Sequence, residues 1–288
     1  HNGIEASNAD AVNQNNMHRL VSVERSALSL INLLKKKISH RISRQLGQND
    51  ILTIVNCDIS GLDGLVQAVI FTRNKEFTLH HGDSVIESTI VNQQQLDGGQ
   101  IVIVSAEGEK LQSVDDYYRS EVLFRVPLMQ GLGYQTLTVH EGVASPMLTP
   151  SDQPAIENDR YRLTLSQGEL ILENRVTGQR VDDVLRFAEC GDNGDEFDFA
   201  PLPGDHNRYS GKFRLINCET SALTARMTLE STITIPADLP ARRTGLYQQP
   251  LVITTTLELR QHEPFMRIHH RLNNQAVDHR LRVHIKTP

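Results

Sequence analysis

Up to about residue 46 the apolar residues recur every three or four positions, and from about residue 51 the spacing drops to two and stays there. Met17, Leu20, Val23, Ala27, Ile31, Leu34, Ile38, Ile42 and Leu46 fall on one stripe, with Lys35, Lys36, Arg41 and Arg44 away from it. Ser7 or Asn8 can cap the start of such a helix, Asp10 places a carboxylate in its first turn, and Gly47 sits where a left-handed stop is needed. At ~1.5 Å per residue the helix is on the order of 57 Å long. A helix with one apolar side must bury that side, and no second helical pattern follows it. The expectation is one member of a helical bundle whose other members lie elsewhere, in a longer protein of which this chain is the C-terminal piece.

The remainder reads as strands. Period-2, β-branched runs at 51–56, 65–71, 85–92, 100–105, 117–125 and 135–139 are separated by turn chemistry such as Ser60-Gly61, Asp63-Gly64 and Asp97-Gly98-Gly99. A stretch rich in Pro, Ser and Thr at 146–154 is the best boundary in the chain. Beyond it runs at 156–165, 169–174, 181–189, 223–235, 249–260, 265–273 and 281–285 predict a larger antiparallel sheet structure. The predicted organisation is a bundle helix at 1–48, a small β-sandwich at 49–145, a linker at 146–154 and a larger β-sandwich at 155–288. The last is expected to be incomplete at its far end, with an unpaired edge strand.

Composition narrows the function classes. With 288 residues, 39% hydrophobic and 22% charged, the chain is long enough for two cores. A net charge of -6, with Lys35-Lys36-Lys37 as the one basic run, argues against nucleic acid. No apolar run approaches the ~18 residues of a membrane span. Cys57, Cys190 and Cys218, odd in number and widely spaced, predict buried free thiols and a reducing, cytoplasmic setting.

Residues able to carry chemistry are few. Four carboxylates lie within seven residues of the run Asp192-Asn193-Gly194-Asp195-Glu196-Phe197-Asp198, which Gly191 precedes and Phe199-Ala200-Pro201 follows. Carboxylates accept hydrogen bonds from vicinal hydroxyls, and aromatic rings stack on the apolar face of a sugar. Residue types alone allow three readings: a solvated acidic loop, a saccharide-binding loop, or a calcium site without EF-hand spacing. His80-His81 and His269-His270 are neighbours on strands and point to opposite faces, so neither pair converges on one metal ion. Arg280 and Arg282 share a strand face, with solvent as their expected surroundings. His1, taken alone, reads as a frayed terminus.

Several stretches, in this order, resemble the region that follows the catalytic barrel in glycoside hydrolase family 38 α-mannosidases, especially bacterial enzymes acting on mannosylglycerate-like substrates. His1-Asn2-Gly3-Ile4, followed by Val12 and Arg19-Leu20, resembles the family's His-Asp-x-Ile signature at the head of a bundle helix. Ile156-Glu157-Asn158 with residues 170–178 resembles the opening of its large β domain. Residues 194–201, Gly-Asp-Glu-Phe-Asp-Phe-Ala-Pro, are similar to its Gly-Asp-Glu-Tyr-Asp-Tyr-Ser-Pro motif, and residues 274–283 to its Asn-x-x-x-Asp-His-Arg-Leu-Arg-Val strand.

The resemblance implies a mainly β fold with one long N-terminal helix, in which a small β-sandwich precedes a larger, truncated galactose-mutarotase-like antiparallel β-sandwich. It implies a zinc-dependent retaining α-mannosidase as the parent protein, whose nucleophile, acid/base and first zinc ligands lie upstream. His1 would match the last protein ligand to zinc. Asn2 and the loop residues Asp195, Glu196, Phe197 and Asp198 would match positions that contact the α-mannoside, with Asn2 replacing an Asp and Phe197 and Phe199 replacing tyrosines. The chain by itself is expected to be inactive, and its bare helix stripe to drive self-association. The alternative is a carbohydrate-binding or structural β-sandwich module without catalysis.

Overall fold

A computed structural model describes residues 10–47, 51–106, 108–195 and 198–287 of the chain. Helix α1, Asp10–Leu46, contains neither Gly nor Pro and ends where Gly47 turns left-handed at φ 68°. Its stripe is bare over most of its length, with Leu20 63% and Val23 68% exposed, and only near the C-terminal end is Ile42 buried. There Ser39 Oγ lies 3.5 Å from Thr53 Oγ1, and a 550 Å³ apolar cleft separates Ile31, Leu34 and Ile38 from Leu52, Val66 and Phe124. Among the described residues no helix is long and apolar enough to cross a membrane.

The first group of strands is β1 (Ile51–Val55), β2 (Leu62–Thr72), β3 (Phe77–His81), β4 (Ser84–Val85), β5 (Ser88–Leu96), β6 (Gln100–Ser105), β7 (Gly108–Ser113), β8 (Tyr117–Met129) and β9 (Tyr134–Glu141). Sheets β1-β9-β3-β4 and β2-β8-β5 enclose one apolar cluster, and β6-β7 is a separate exposed hairpin. Alternation sets the inward face: Val122, Phe124 and Val126 of β8 meet Phe77, Leu79 and Leu137 in that cluster.

The second group is β10 (Thr149–Pro150), β11 (Ala155–Glu157), β12 (Tyr161–Ser166), β13 (Glu169–Asn174), β14 (Arg180–Asp182), β15 (Leu185–Gly191), β16 (Arg208–Tyr209), β17 (Arg214–Thr220), β18 (Thr224–Ile235), β19 (Gln249–Arg260), β20 (Arg267–Leu272) and β21 (His279–Ile285), with the short helix α2 (Leu239–Arg243) before β19. Sheets β10-β17-β18-β19-β20, β11-β12-β13-β14 and β16-β15-β21 share a second apolar cluster. Its centre is the β18/β19 ladder, where Ala225 pairs with Leu259, Met227 with Leu257 and Ile233 with Leu251, all on one face. All these ladders are antiparallel.

Several sequence expectations shift. The run at 156–165 is broken at Asn158, 2% exposed, whose Oδ1 accepts the Arg160 and Tyr161 N–H groups while Nδ2 donates to the Arg260 and Glu263 carbonyls. The run at 181–189 is broken where Asp183 turns left-handed at φ 54°. Within the Pro/Ser/Thr stretch β10 pairs with β17, and Leu148 N–H donates to the Ile90 carbonyl, so this segment is hydrogen-bonded on both sides. Of the cysteines expected to be buried, Cys190 and Cys218 are, whereas Cys57 is exposed on the turn after β1. Strands β3, β7, β16 and β17 lie outside the predicted runs.

Candidate functional site

The acidic loop leaves the end of β15 and returns toward β16, so the strand pair fixes both of its stems. Inside it, Asp192 Oδ1 accepts from Gly194 N–H at 2.9 Å and Ala200 N–H at 3.0 Å, and Asn193 N–H reaches the Ala200 carbonyl at 2.9 Å. One carboxylate therefore closes the loop on itself. Gly194 is obligatory, because a Cβ there would lie 1.7 Å from the Asp198 carbonyl oxygen. Asp195 and Asp198 are both exposed, and Asp195 Oδ1 takes the Asp198 N–H at 3.0 Å. Phe199 lies under the Arg280 guanidinium, 4.6 Å from its ring centre, which ties the loop to β21.

Beneath the loop lies a buried charge cluster. Arg242 of α2, its side chain 5% exposed, is ion-paired with the fully buried Glu189 and sits 3.4 Å from Asp205. Burial works against the charge of Arg242, but the hydrogen bond to Glu189 and the charges of Glu189 and Asp205 outweigh it and hold its pKa above the ordinary value. Asp205 Oδ2 also accepts the Gly191 N–H at 2.6 Å, and Asp192 N–H donates to the Asp278 carbonyl. His279 adds its Nδ1 at 3.4 Å from Glu189 Oε1 and its Nε2 at 3.1 Å from Asn274 Oδ1. The amide orientation of Asn274 follows from the Ala276 N–H that the same oxygen accepts.

Of the residues singled out in the sequence, His1, Asn2, Glu196 and Phe197 lie outside the described residues. Asp195 and Asp198 come together on one turn, as exposed acceptors suited to hydroxyl groups. Arg282 is not solvated as expected: it is half-buried, hydrogen-bonded to Asn207 and 3.8 Å from Cys190 Sγ. His80 stacks on His140, ring centres 4.0 Å apart, and His270 Nδ1 meets Thr255 Oγ1 at 3.0 Å. Among the described residues no three His, Cys, Asp or Glu side chains converge on a point where a metal could bind.

Glu189, Asp205 and Arg242 were not anticipated. The signal for Glu189 was a carboxylate inside the otherwise apolar core positions of Phe187-Ala188-Glu189-Cys190, where a buried charge requires a partner. The signal for Arg242 was the capped turn Asp238-Leu239-Pro240, which starts a helix just upstream of it.

Neither a protein-family model nor a curated protein matches the chain in sequence. Among the solved structures that match it in fold are two from Enterococcus faecalis. One is an α-mannosidase from Enterococcus faecalis V583, with a TM-score of 0.61 and 16% identity, covering 81% of this chain and 31% of that one. The other is a protein in glycosyl hydrolase family 38 from Enterococcus faecalis, with a TM-score of 0.58 and 17% identity, covering 81% of this chain and 32% of that one. The chain thus has the fold of part of these proteins and spans under a third of their length. The fold likeness falls on the same family that the sequence motifs resemble.

Proposed function

We propose that this chain is the non-catalytic β portion of a zinc-dependent retaining α-mannosidase, and that its loop 192–200 lines the mouth of the active site. The observation that carries the reading is the fold likeness to an α-mannosidase over 81% of the chain. The loop adds chemical support: a self-closed turn presents Asp195 and Asp198 outward, already organised to accept sugar hydroxyls. Zinc, when bound in such an enzyme, would hold sugar hydroxyls and polarise the reacting centre. The described residues do not build that centre, since no three metal-binding side chains converge. In this reading His1 contributes one imidazole, Asn2 a neutral substrate contact, and the remaining ligands, the nucleophile and the acid/base belong to another part of the protein.

The bare stripe of α1 fits the same reading, because it offers an apolar face of the kind a bundle neighbour would cover. The purified chain, given zinc and p-nitrophenyl α-mannoside, is expected to release no nitrophenol. The product of the longer gene is expected to release it, and His1→Ala in that protein to lose both zinc, by elemental analysis, and turnover. Turnover by the isolated chain, or full zinc content and activity in the His1 variant, would overturn these roles. A coding sequence before His1 that carries no barrel pattern would favour a carbohydrate-binding or structural module instead.

A further inference from the structure

We propose that Arg242 is a positioning residue: with Glu189 and Asp205 it clamps both stems of the acidic loop and so sets the direction in which Asp195 and Asp198 face a ligand. The proposal rests on the reading of that loop as a rim. Glu189 lies three residues before the loop's first carboxylate and Asp205 lies after the loop has returned, so one guanidinium joins the way in to the way out. Arginine suits this task because its planar fork reaches two carboxylates at once and keeps its charge when buried. Helix α2 is built to deliver it: Asp238 caps the first turn by accepting from Ala241 N–H at 2.8 Å, and Val277 N–H, from the segment leading to His279, donates to the Ala237 carbonyl.

The backbone is fitted around the same side chain. A Cβ on Gly191 would lie 2.6 Å from Arg242 Cδ and 2.2 Å from Leu202 Cδ1, so any larger residue there would have to displace the Arg242 and Leu202 side chains. The Gly191 N–H then donates to the carboxylate of Asp205 that Arg242 holds. Stability alone does not account for the cluster. Glu189 Oε2 and His279 Nδ1 are buried without a hydrogen bond, which an apolar replacement would avoid. What the cluster supplies, and an apolar core would not, is a directional tie from Glu189 to Asp205 on the loop side of the last β15/β16 rung, Glu189 with Arg208, where the ladder no longer holds the returning chain.

The test compares the full chain as wild type, Arg242→Met, Arg242→Lys and the double variant Glu189→Gln/Arg242→Met. Arg242→Met leaves two carboxylates facing no cation and is expected to lower thermal stability as well as loosen the loop. The double variant removes the buried unpaired charge of Glu189 and is expected to recover most of the thermal stability, while the Gly191, Gly194 and Ala200 amides still exchange on the order of tenfold faster than in wild type. Arg242→Lys, which can satisfy one carboxylate at a time, is expected to fall between. Amides of β18 and β19 serve as the internal reference and are expected to be unchanged in the double variant.

Saturation transfer from protein to methyl α-mannoside, expected in wild type, is expected to vanish in the double variant despite its recovered stability. Wild-type exchange at Gly191, Gly194 and Ala200 in the double variant would overturn the clamp. Absence of saturation transfer in wild type would count against the rim reading, and the exchange contrast would still decide the clamp.

Discussion

Replacing Glu258 by Gln tests the charge arrangement that joins the two groups of strands. Glu258, 8% exposed on β19, receives Arg226 Nε at 3.0 Å and Thr224 Oγ1 at 3.1 Å on one oxygen, and Arg260 Nη2 at 3.1 Å on the other. Arg260 in turn donates to Gln67 Oε1 of β2 at 2.9 Å, so the carboxylate also steadies a contact between the larger sheet and the smaller sandwich. At an effective dielectric of about 20, a pair of charges ~3 Å apart gains roughly 5 kcal/mol, against a desolvation cost of several kcal/mol per ion. Glutamine keeps the shape but leaves two guanidinium groups uncompensated, for which a loss of about 3–5 kcal/mol is expected at pH 7. Arg267, 3.9 Å away and 40% exposed, adds little to that figure. Burial pushes the Glu258 carboxyl up, but the Arg226 and Arg260 charges and hydrogen bonds outweigh it and hold it below its ordinary value. A depressed folded pKa gives stability that is present above the unfolded carboxyl value, about 4.3, and is lost as pH falls through the folded one. The gap between wild type and Glu258→Gln in urea midpoints should therefore be wide at pH 7 and close in acid below about pH 4. A gap under about 1 kcal/mol at pH 7, or one equally wide in acid, would refute this account of the cluster.

Two further outcomes follow from burial. Burial pushes the Cys218 thiol up, and Cys190 is buried as well, whereas Cys57 is exposed. Native protein should therefore release one thionitrobenzoate equivalent quickly from Ellman's reagent and urea-unfolded protein three; fast reaction of all three in the native state would contradict the packing of β15 and β17. The stripe of α1 leaves Leu20, Val23, Leu34 and Ile38 between 43% and 68% exposed, each forgoing on the order of 1 kcal/mol of burial. The isolated chain is expected to self-associate in sedimentation velocity and Leu20→Glu/Leu34→Glu to shift it toward monomer, whereas a concentration-independent monomer in wild type would refute the expectation.

The fold was most legible where one face of an element is buried and least where a side chain overrides the pattern. The run 249–260 coincides with β19 because every second residue from Leu251 to Leu259 turns inward, and the burial itself wrote the period. The run 156–165 shows the opposite case. Its composition is that of one strand, yet Asn158 spends its amide on four backbone partners and turns the chain. Strands β6 and β7 have no buried face, so Ile101, Val102, Ile103 and Val104 gave one of them away by β-branching alone and Gly108–Ser113 carried no period.

For the site, the visible half and the hidden half obey different rules. Asp192, Gly194 and Asp198 stand out because carboxylates and glycines crowd together in sequence, and their short-range bonds are of the kind local composition encodes. Arg242, Glu189 and Asp205 are separated by 37 and 53 positions, and only the antiparallel return of the chain brings them within ion-pair reach. A lone charge between apolar neighbours, as at Glu189, announces that a partner exists but not which one. Direction is thus a tertiary property of this loop while its shape is a local one. A substitution at Asp192 or Gly194 should break the turn's own hydrogen bonds directly, whereas one at Arg242 should act from outside the turn, by loosening the stems that hold and aim it.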